Sequence, residues 1–160
     1  MNTEINRFNV RVYFLLADDS GKSVLVADEI IRGKPFTKFP GGGLEFGEGT
    51  IDCVKREAME ELNQEIEITS HFYTTDFFLE SAFKKSDQII SIYYTARISG
   101  EQKFKTSDKK FDFIQTVNNE ESFRWIKLSD LKVEEFAFAA DKKVCEMLIE
   151  NNGTQNFLKQ

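Results

Sequence analysis

Apolar and polar positions alternate one by one along the first stretch of the chain. Phe8, Val10, Val12, Phe14 and Leu16 interleave with Asn9, Arg11, Tyr13 and Leu15, a period of two that predicts a strand. Asp18-Asp19-Ser20-Gly21 is turn chemistry, and residues 23–27 predict a returning strand, so the chain opens with a hairpin. Arg32-Gly33-Lys34-Pro35 reads as a loop before a short strand over 36–39. The pattern then changes. A glycine-rich loop from Gly41 leads into a stretch where Ile51, Val54, Ala58 and Leu62 recur at helical spacing, predicted to form a core-facing stripe.

Alternation resumes at 65–68, residues 72–79 are rich in aromatic and threonine residues, the strand signal is strongest at 88–98, and a late strand is predicted at 123–126. Residues 100–122 are polar, dotted with lysine and aperiodic, which predicts a long loop or a ragged extension of the sheet. Ser129-Asp130 reads as a helix N-cap pair. Ala140, Val144, Met147 and Leu148 predict a C-terminal amphipathic helix ended by Asn151-Asn152-Gly153. The order predicts a mixed sheet with helices packed on it, an α/β (α+β) class. The expected organisation is one domain over 1–160, with its core at about 8–150 and a tail over 151–160.

Composition narrows the functional classes. Sixteen Phe against one Trp and four Tyr suggest an aromatic core. A net charge of −6 argues against non-specific nucleic-acid binding, which needs a basic face, but leaves room for a phosphorylated small molecule approached through a metal. His71 is the single histidine, so a His-based zinc site or a His-dependent triad is nearly excluded. Cys53 and Cys145 lie far apart without ligand spacing, which reads as two reduced, packed thiols. The first residues lack a basic start and a long apolar core, and no apolar run nears the length of a membrane span. The expectation is a cytoplasmic protein with no membrane partner.

Chemistry concentrates between Gly41 and Gln64. Glu57, Glu60 and Glu61 are spaced i, i+3 and i+4 on one side of the predicted helix. Like charges so placed repel and invite a divalent cation, although an acidic run is more often a solvated face. Arg56 could serve simply as the i,i+4 partner of Glu60. Glu48 could be a charge favoured near a helix start. Gly41-Gly42-Gly43 could be an ordinary turn, or could let backbone approach phosphate or metal closely.

The spacing settles these choices by resemblance. Gly42, five residues, Glu48, seven residues, Arg56-Glu57-Ala58, one residue and Glu60-Glu61 resemble the Nudix box, written G-x5-E-x7-R-E-U-x-E-E-x-G-U. The preceding Phe39-Pro40-Gly41-Gly42, the Glu45-x-Gly47-Glu48 phrase and the late Trp125 and Leu131 agree with the family. Asn63 replaces the final glycine, a tolerated substitute where a helix ends in left-handed backbone. Gln64 replaces the apolar residue after it, which should weaken a local core contact and touch nothing catalytic.

The resemblance implies a Nudix-like α/β/α sandwich around a mixed sheet. It implies Mg²⁺ or Mn²⁺ held by the carbonyl of Gly41 and by Glu57, Glu60 and Glu61. Arg56 would orient the glutamates, and Glu48 would stand beneath the metals or join their ligands. Catalysis would fall to Arg56, Glu57, Glu61 and Glu48, with the general base among Glu57, Glu61 and the later Glu120 and Glu121. The implied activity is hydrolysis of a nucleoside diphosphate linked to a moiety X, with a homodimer common among relatives. A non-catalytic nucleotide or metabolite sensor is the alternative. Substrate-binding residues are not assigned. Lys84, Lys85, Lys103, Lys105, Lys109 and Lys110 could form a cationic rim, and Tyr73, Phe111 and Phe113 could stack a base. Residues 100–122 are the expected seat of specificity.

Overall fold

The computed structural model describes residues 4–151; the tail expected beyond Asn151 lies outside them. Seven strands and two helices follow in the order β1 (Arg7–Ala17), β2 (Ser23–Ile31), β3 (Lys34–Lys38), β4 (Gly41–Gly43), α1 (Thr50–Leu62), β5 (Ile66–Thr74), β6 (Asp87–Ile98), β7 (Glu121–Lys127) and α2 (Ala139–Asn151). They form one mixed sheet in which β1 and β6 run parallel and the other pairs are antiparallel.

β1 and β2 meet only where Ala17 pairs with Val24, and then diverge. The wedge between them is filled by the next piece of chain. β3 pairs with β2, Phe39 and Pro40 cross the gap, and β4 pairs with β1 so that Gly43 lies opposite Arg11. The glycine-rich segment is therefore a short internal strand rather than a loop, because it has an open sheet edge to bond to.

Both faces of the sheet are covered. Val12, Phe14 and Leu16 pack with Leu25 and with Cys53, Val54, Ala58 and Leu62 of α1. The alternate residues Leu15 and Ala17 pack with Val24, Val26 and Tyr93 against Val144, Cys145 and Leu148 of α2. Single alternation in β1 thus buries both sets, the pattern of a strand between two layers. The aromatic core is real in part. Phe39 stacks on Phe136 at 4.6 Å, whereas Phe8, Phe46, Phe77 and Phe78 are exposed.

Several sequence expectations shift. Ile51 is exposed and Cys53 takes its place in the buried stripe, because the first turn of α1 rests on β4, where the Cys53 thiol meets Gly43 O. Arg32-Gly33 alone make the tight turn, and Lys34 and Pro35 already belong to β3. The stretch at 65–68, from Ile66 on, and the start of the one at 72–79 fall in one strand, β5, with register shifts between Ile68 and Ser70 and between His71 and Tyr73, and the strand stops at Thr74, short of Leu79. Ser129 and Asp130 fall in a 3-10 turn, Leu128–Asp130, and cap no α-helix. Asn63 does end α1 in left-handed backbone, with φ of 51°.

Gln64 is fully buried and far from a defect. Its Nε2 donates to the carbonyls of Glu65 and Ser99, and its Oε1 accepts from Lys103 N–H at 2.8 Å. It thereby pins the start of the 100–122 segment. Further anchors follow, with Ser107 N–H donating to Phe123 O, Phe111 N–H to Asp28 and Asn119 N–H to Ile30 O. Asp28 is itself buried, held by Arg124 at 2.6 Å and by the Thr37 hydroxyl at 2.7 Å. The long segment is irregular but tied down, and Glu121 lies at the start of β7 rather than in a loop.

Candidate active site

The site begins where β4 hands over to α1. Gly41 has φ of 152°, and a Cβ there would run into Val12 O and the backbone of Tyr13. Gly42 has Glu57 so close that a Cβ would overlap its carboxylate. Bare backbone at these two positions lets the helix carboxylate lie directly on the glycine strand.

Arg56 organises the loop and helix around itself. Its Nε and Nη2 donate to the two oxygens of Glu48 at 3.0 and 2.8 Å, a paired fork. Nη2 also donates to Gly43 O at 3.1 Å, and Nη1 to Glu57 Oε1 at 3.0 Å and to Glu60 at 3.3 Å. Glu48 further accepts the Glu45 N–H at 2.9 Å. These bonds, Arg56's first, hold the Glu48 carboxyl down at about 2. Glu48 as placed is the anchor of Arg56, with both oxygens engaged. Asp52 accepts from Gly49 N–H at the helix start. Cys53 is packed beside them, its thiol pushed up to about 12 by burial and by Glu48, so it is inert.

Glu57 and Glu60 both meet Arg56, but Glu57 is mostly buried while the Glu60 side chain is 59% exposed. Glu61 points elsewhere. Its Oε2 is buried and accepts no hydrogen bond. Burial, then the charge of Glu121, raise its proton affinity well above the carboxylate range, and burial does the same for Glu121. Glu29 and Lys38 complete this group, Lys38 Nζ standing 2.8 Å from Glu29 Oε2. Burial works against the Lys38 charge, but Glu29 and then Glu61 outweigh it and keep the ammonium charged.

Among the described residues, no three acidic side chains are already gathered closely enough to cage a metal ion. Arg56 holds Glu57 and Glu60. The chemistry of the donors nevertheless fits a hard divalent cation: carboxylate oxygens, with one buried Glu61 oxygen lacking any partner.

Sequence reasoning missed Glu29, Lys38 and Arg11, and the cavity beside them. This cavity, about 490 Å³, opens on the α2 side of the sheet. Its walls come from β1, from residues 79–84 and from 137–141, and it contains Arg11, Lys38 and Glu29. No residue of 100–122 lines it, so the expected seat of specificity contributes no wall here. Of the six candidate lysines only Lys84 lines it. Phe111 and Phe113 stack on each other instead, and Tyr73 donates to Asp76. At the inner end Tyr93 OH donates to Asp141 at 2.6 Å, and burial pushes the Asp141 carboxyl up to about 6. No spacing rule links these residues. The β2–β3 register is what brings Glu29 and Lys38 together.

Known structures share the architecture. A NUDIX hydrolase from Nitrosomonas europaea superposes with a TM-score of 0.66 at 19% identity, covering 90% of this chain and 89% of that one. A MutT NUDIX hydrolase from Burkholderia pseudomallei gives 0.65 at 20% identity, covering 88% and 98%. A MutT protein from Methanosarcina mazei Go1 gives 0.66 at 14%, covering 94% and 98%. At these identities the likeness shows the fold. Among curated proteins no significant match to the sequence was found. The family model described as NUDIX domain matches residues 7–147, and that span takes in the whole glycine strand, the Arg56 fork and the glutamate helix: the chain belongs to the NUDIX domain family.

Proposed function

We propose that this Nudix pyrophosphohydrolase cleaves a nucleoside diphosphate linked to a moiety X, with Mg²⁺ or Mn²⁺ held by the Gly41 carbonyl, Glu57, Glu60 and Glu61. The observation that carries the reading is the orphaned, buried Glu61 oxygen beside Glu57 and Glu121, a site short of positive charge. A divalent ion there supplies that charge to phosphate oxygens and acidifies water.

The chain's own part is positioning, which is what phosphoryl chemistry chiefly needs. Arg56 fixes the Glu57 carboxylate against Gly42 and the loop through Glu48. Lys38 lies against Glu29 at 2.8 Å and so places a fixed cation at the edge of the glutamate group. Glu121, with its proton affinity raised by burial, is the distal candidate best suited to take a proton near neutrality. Two buried, free cysteines suit the cytoplasm as its compartment.

A panel of nucleotide sugars, dinucleoside diphosphates and nucleoside triphosphates with Mg²⁺ or Mn²⁺ tests this on the wild type, Glu60→Gln and Glu61→Gln. The expected result is turnover of at least one class, lost by roughly a hundredfold or more in Glu61→Gln. Tight binding of one nucleotide without turnover would instead establish a sensor. Unchanged activity in both variants would remove the metal assignment.

A further inference from the structure

Among the described residues, one cation of the cavity wall has no counter-ion. Arg7 and Lys84 lean on Asp87, and Lys38 on Glu29. Arg11, half-buried in β1, uses only its Nε, which donates to Tyr13 OH at 2.9 Å. Among the described residues it has no carboxylate at ion-pair distance, and its Nη atoms meet no protein acceptor. Glu57 and Glu29 act on it only through space.

Its place is fixed from both sides. Arg11 pairs in register with Gly43, the residue whose carbonyl Arg56 holds, and its side chain lines the cavity. The guanidinium carbon stands 5.9 Å from the Tyr13 ring centroid. Tyr13 in turn stacks on Tyr93 at 5.0 Å, and Tyr93 is locked to Asp141. A fork so braced loses little freedom on binding a ligand, and its free donors match the paired oxygens of an oxyanion.

We infer that Arg11 is a substrate-binding residue whose free fork takes phosphate oxygens at the junction between the glutamate helix and the cavity. The choice of phosphate over other oxyanions rests on the pyrophosphohydrolase reading; the existence of the anion site does not. Arg11 therefore sets how the diphosphate lies relative to Glu57 and directs the group beyond it into the cavity. Gln at this position would keep a donor but lose charge and fork. Lys would keep charge alone.

The test is a titration with inorganic phosphate in EDTA at constant ionic strength, read as the rise in Tm. Wild type, Arg11→Gln, Arg11→Lys and Lys84→Ala are compared. Wild type should show a saturable rise, Arg11→Gln should need roughly tenfold more phosphate or more, Arg11→Lys should fall between them, and Lys84→Ala should match wild type. No saturable rise in wild type, an unchanged response in Arg11→Gln, or an equal loss in Lys84→Ala would each overturn the assignment. Should Arg11→Gln fail to fold, Arg11→Lys decides by the same measure. With any diphosphate that is turned over, Arg11→Lys should raise KM more than it lowers kcat. If nothing is turned over while the phosphate response still depends on Arg11, the hydrolase reading fails and the anion site stands.

Discussion

Stripped of divalent ions, this protein should lose stability as the pH rises from about 5 to about 9. The perturbation acts on Glu61, whose carboxyl is pushed from 4.5 up to about 8 by burial and then by Glu121, and on Glu121, pushed up to about 7 mainly by burial. Folded-state affinities above the unfolded ones mean that the stability is whole below the ordinary carboxylate range. It is lost as these groups are forced to ionise inside. Lifting one carboxyl that far would cost its ionised form at most about 5 kcal/mol. Glu61 and Glu121 titrate as a pair and water reaches part of the site, so about 2–3 kcal/mol is the working figure. For a domain of this size that lowers Tm by about 5–10 °C. Asp141, at about 6, adds to the same slope at its acidic end. Saturating Mn²⁺ should reverse the loss, since an ion at about 100 times its Kd contributes about 2.7 kcal/mol. The assay is thermal unfolding between pH 5 and 9 in EDTA and in Mn²⁺, for wild type and Glu61→Gln. Glu61→Gln should flatten the EDTA slope and lose most of the Mn²⁺ gain. A metal-free wild type whose Tm is flat over this range, or a Glu61→Gln protein with an undiminished slope, would refute the reasoning.

Other expected outcomes follow from single contacts. Gly42→Ala places a methyl on the Glu57 carboxylate; activity should fall by roughly a hundredfold, while circular dichroism shows the fold retained. Lys38→Met leaves Glu29 buried without its cation beside Glu61 and Glu121, and urea melts at pH 8 should show a loss of about 3–5 kcal/mol, smaller at pH 5. Gln64→Leu strands Lys103 N–H and the carbonyls of Glu65 and Ser99, with an expected cost of about 2–4 kcal/mol by the same melts and unchanged kcat per folded molecule.

Gln64 shows why local reading has a limit. In the chain it looks like a polar intrusion at an apolar position, because its three partners come from residue 65 and from residues 99 and 103, which no periodicity connects to it. Asn63 was legible for the opposite reason: left-handed backbone at a helix end is a local demand that asparagine meets by itself. Residues 100–122 looked unstructured because their anchors lie in other elements: the side chains of Gln64 and Asp28 and the backbone carbonyls of Ile30 and Phe123.

The sequence by itself determined the box: the fixed spacing of Gly42, Glu48, Arg56, Glu57, Glu60 and Glu61. One helix, the turn before it and the glycine strand β4 carry all of these, and within a helix spacing is geometry. It also marked the alternating strands, β1 and β6 above all, since alternation is local too, but not β4, which has no apolar pattern of its own. What surrounds the box was decided only by tertiary structure. The divergence of β1 from β2 opens a wedge, the β3–β4 excursion fills it, and strand register then carries Glu29, Lys38 and Glu121 to Glu61 and sets Arg11 beside Gly43. Which strands pair, and in what register, depends on burying both faces at once. The helix glutamates were therefore readable in the chain, while their neighbours became visible only once the sheet had closed around them.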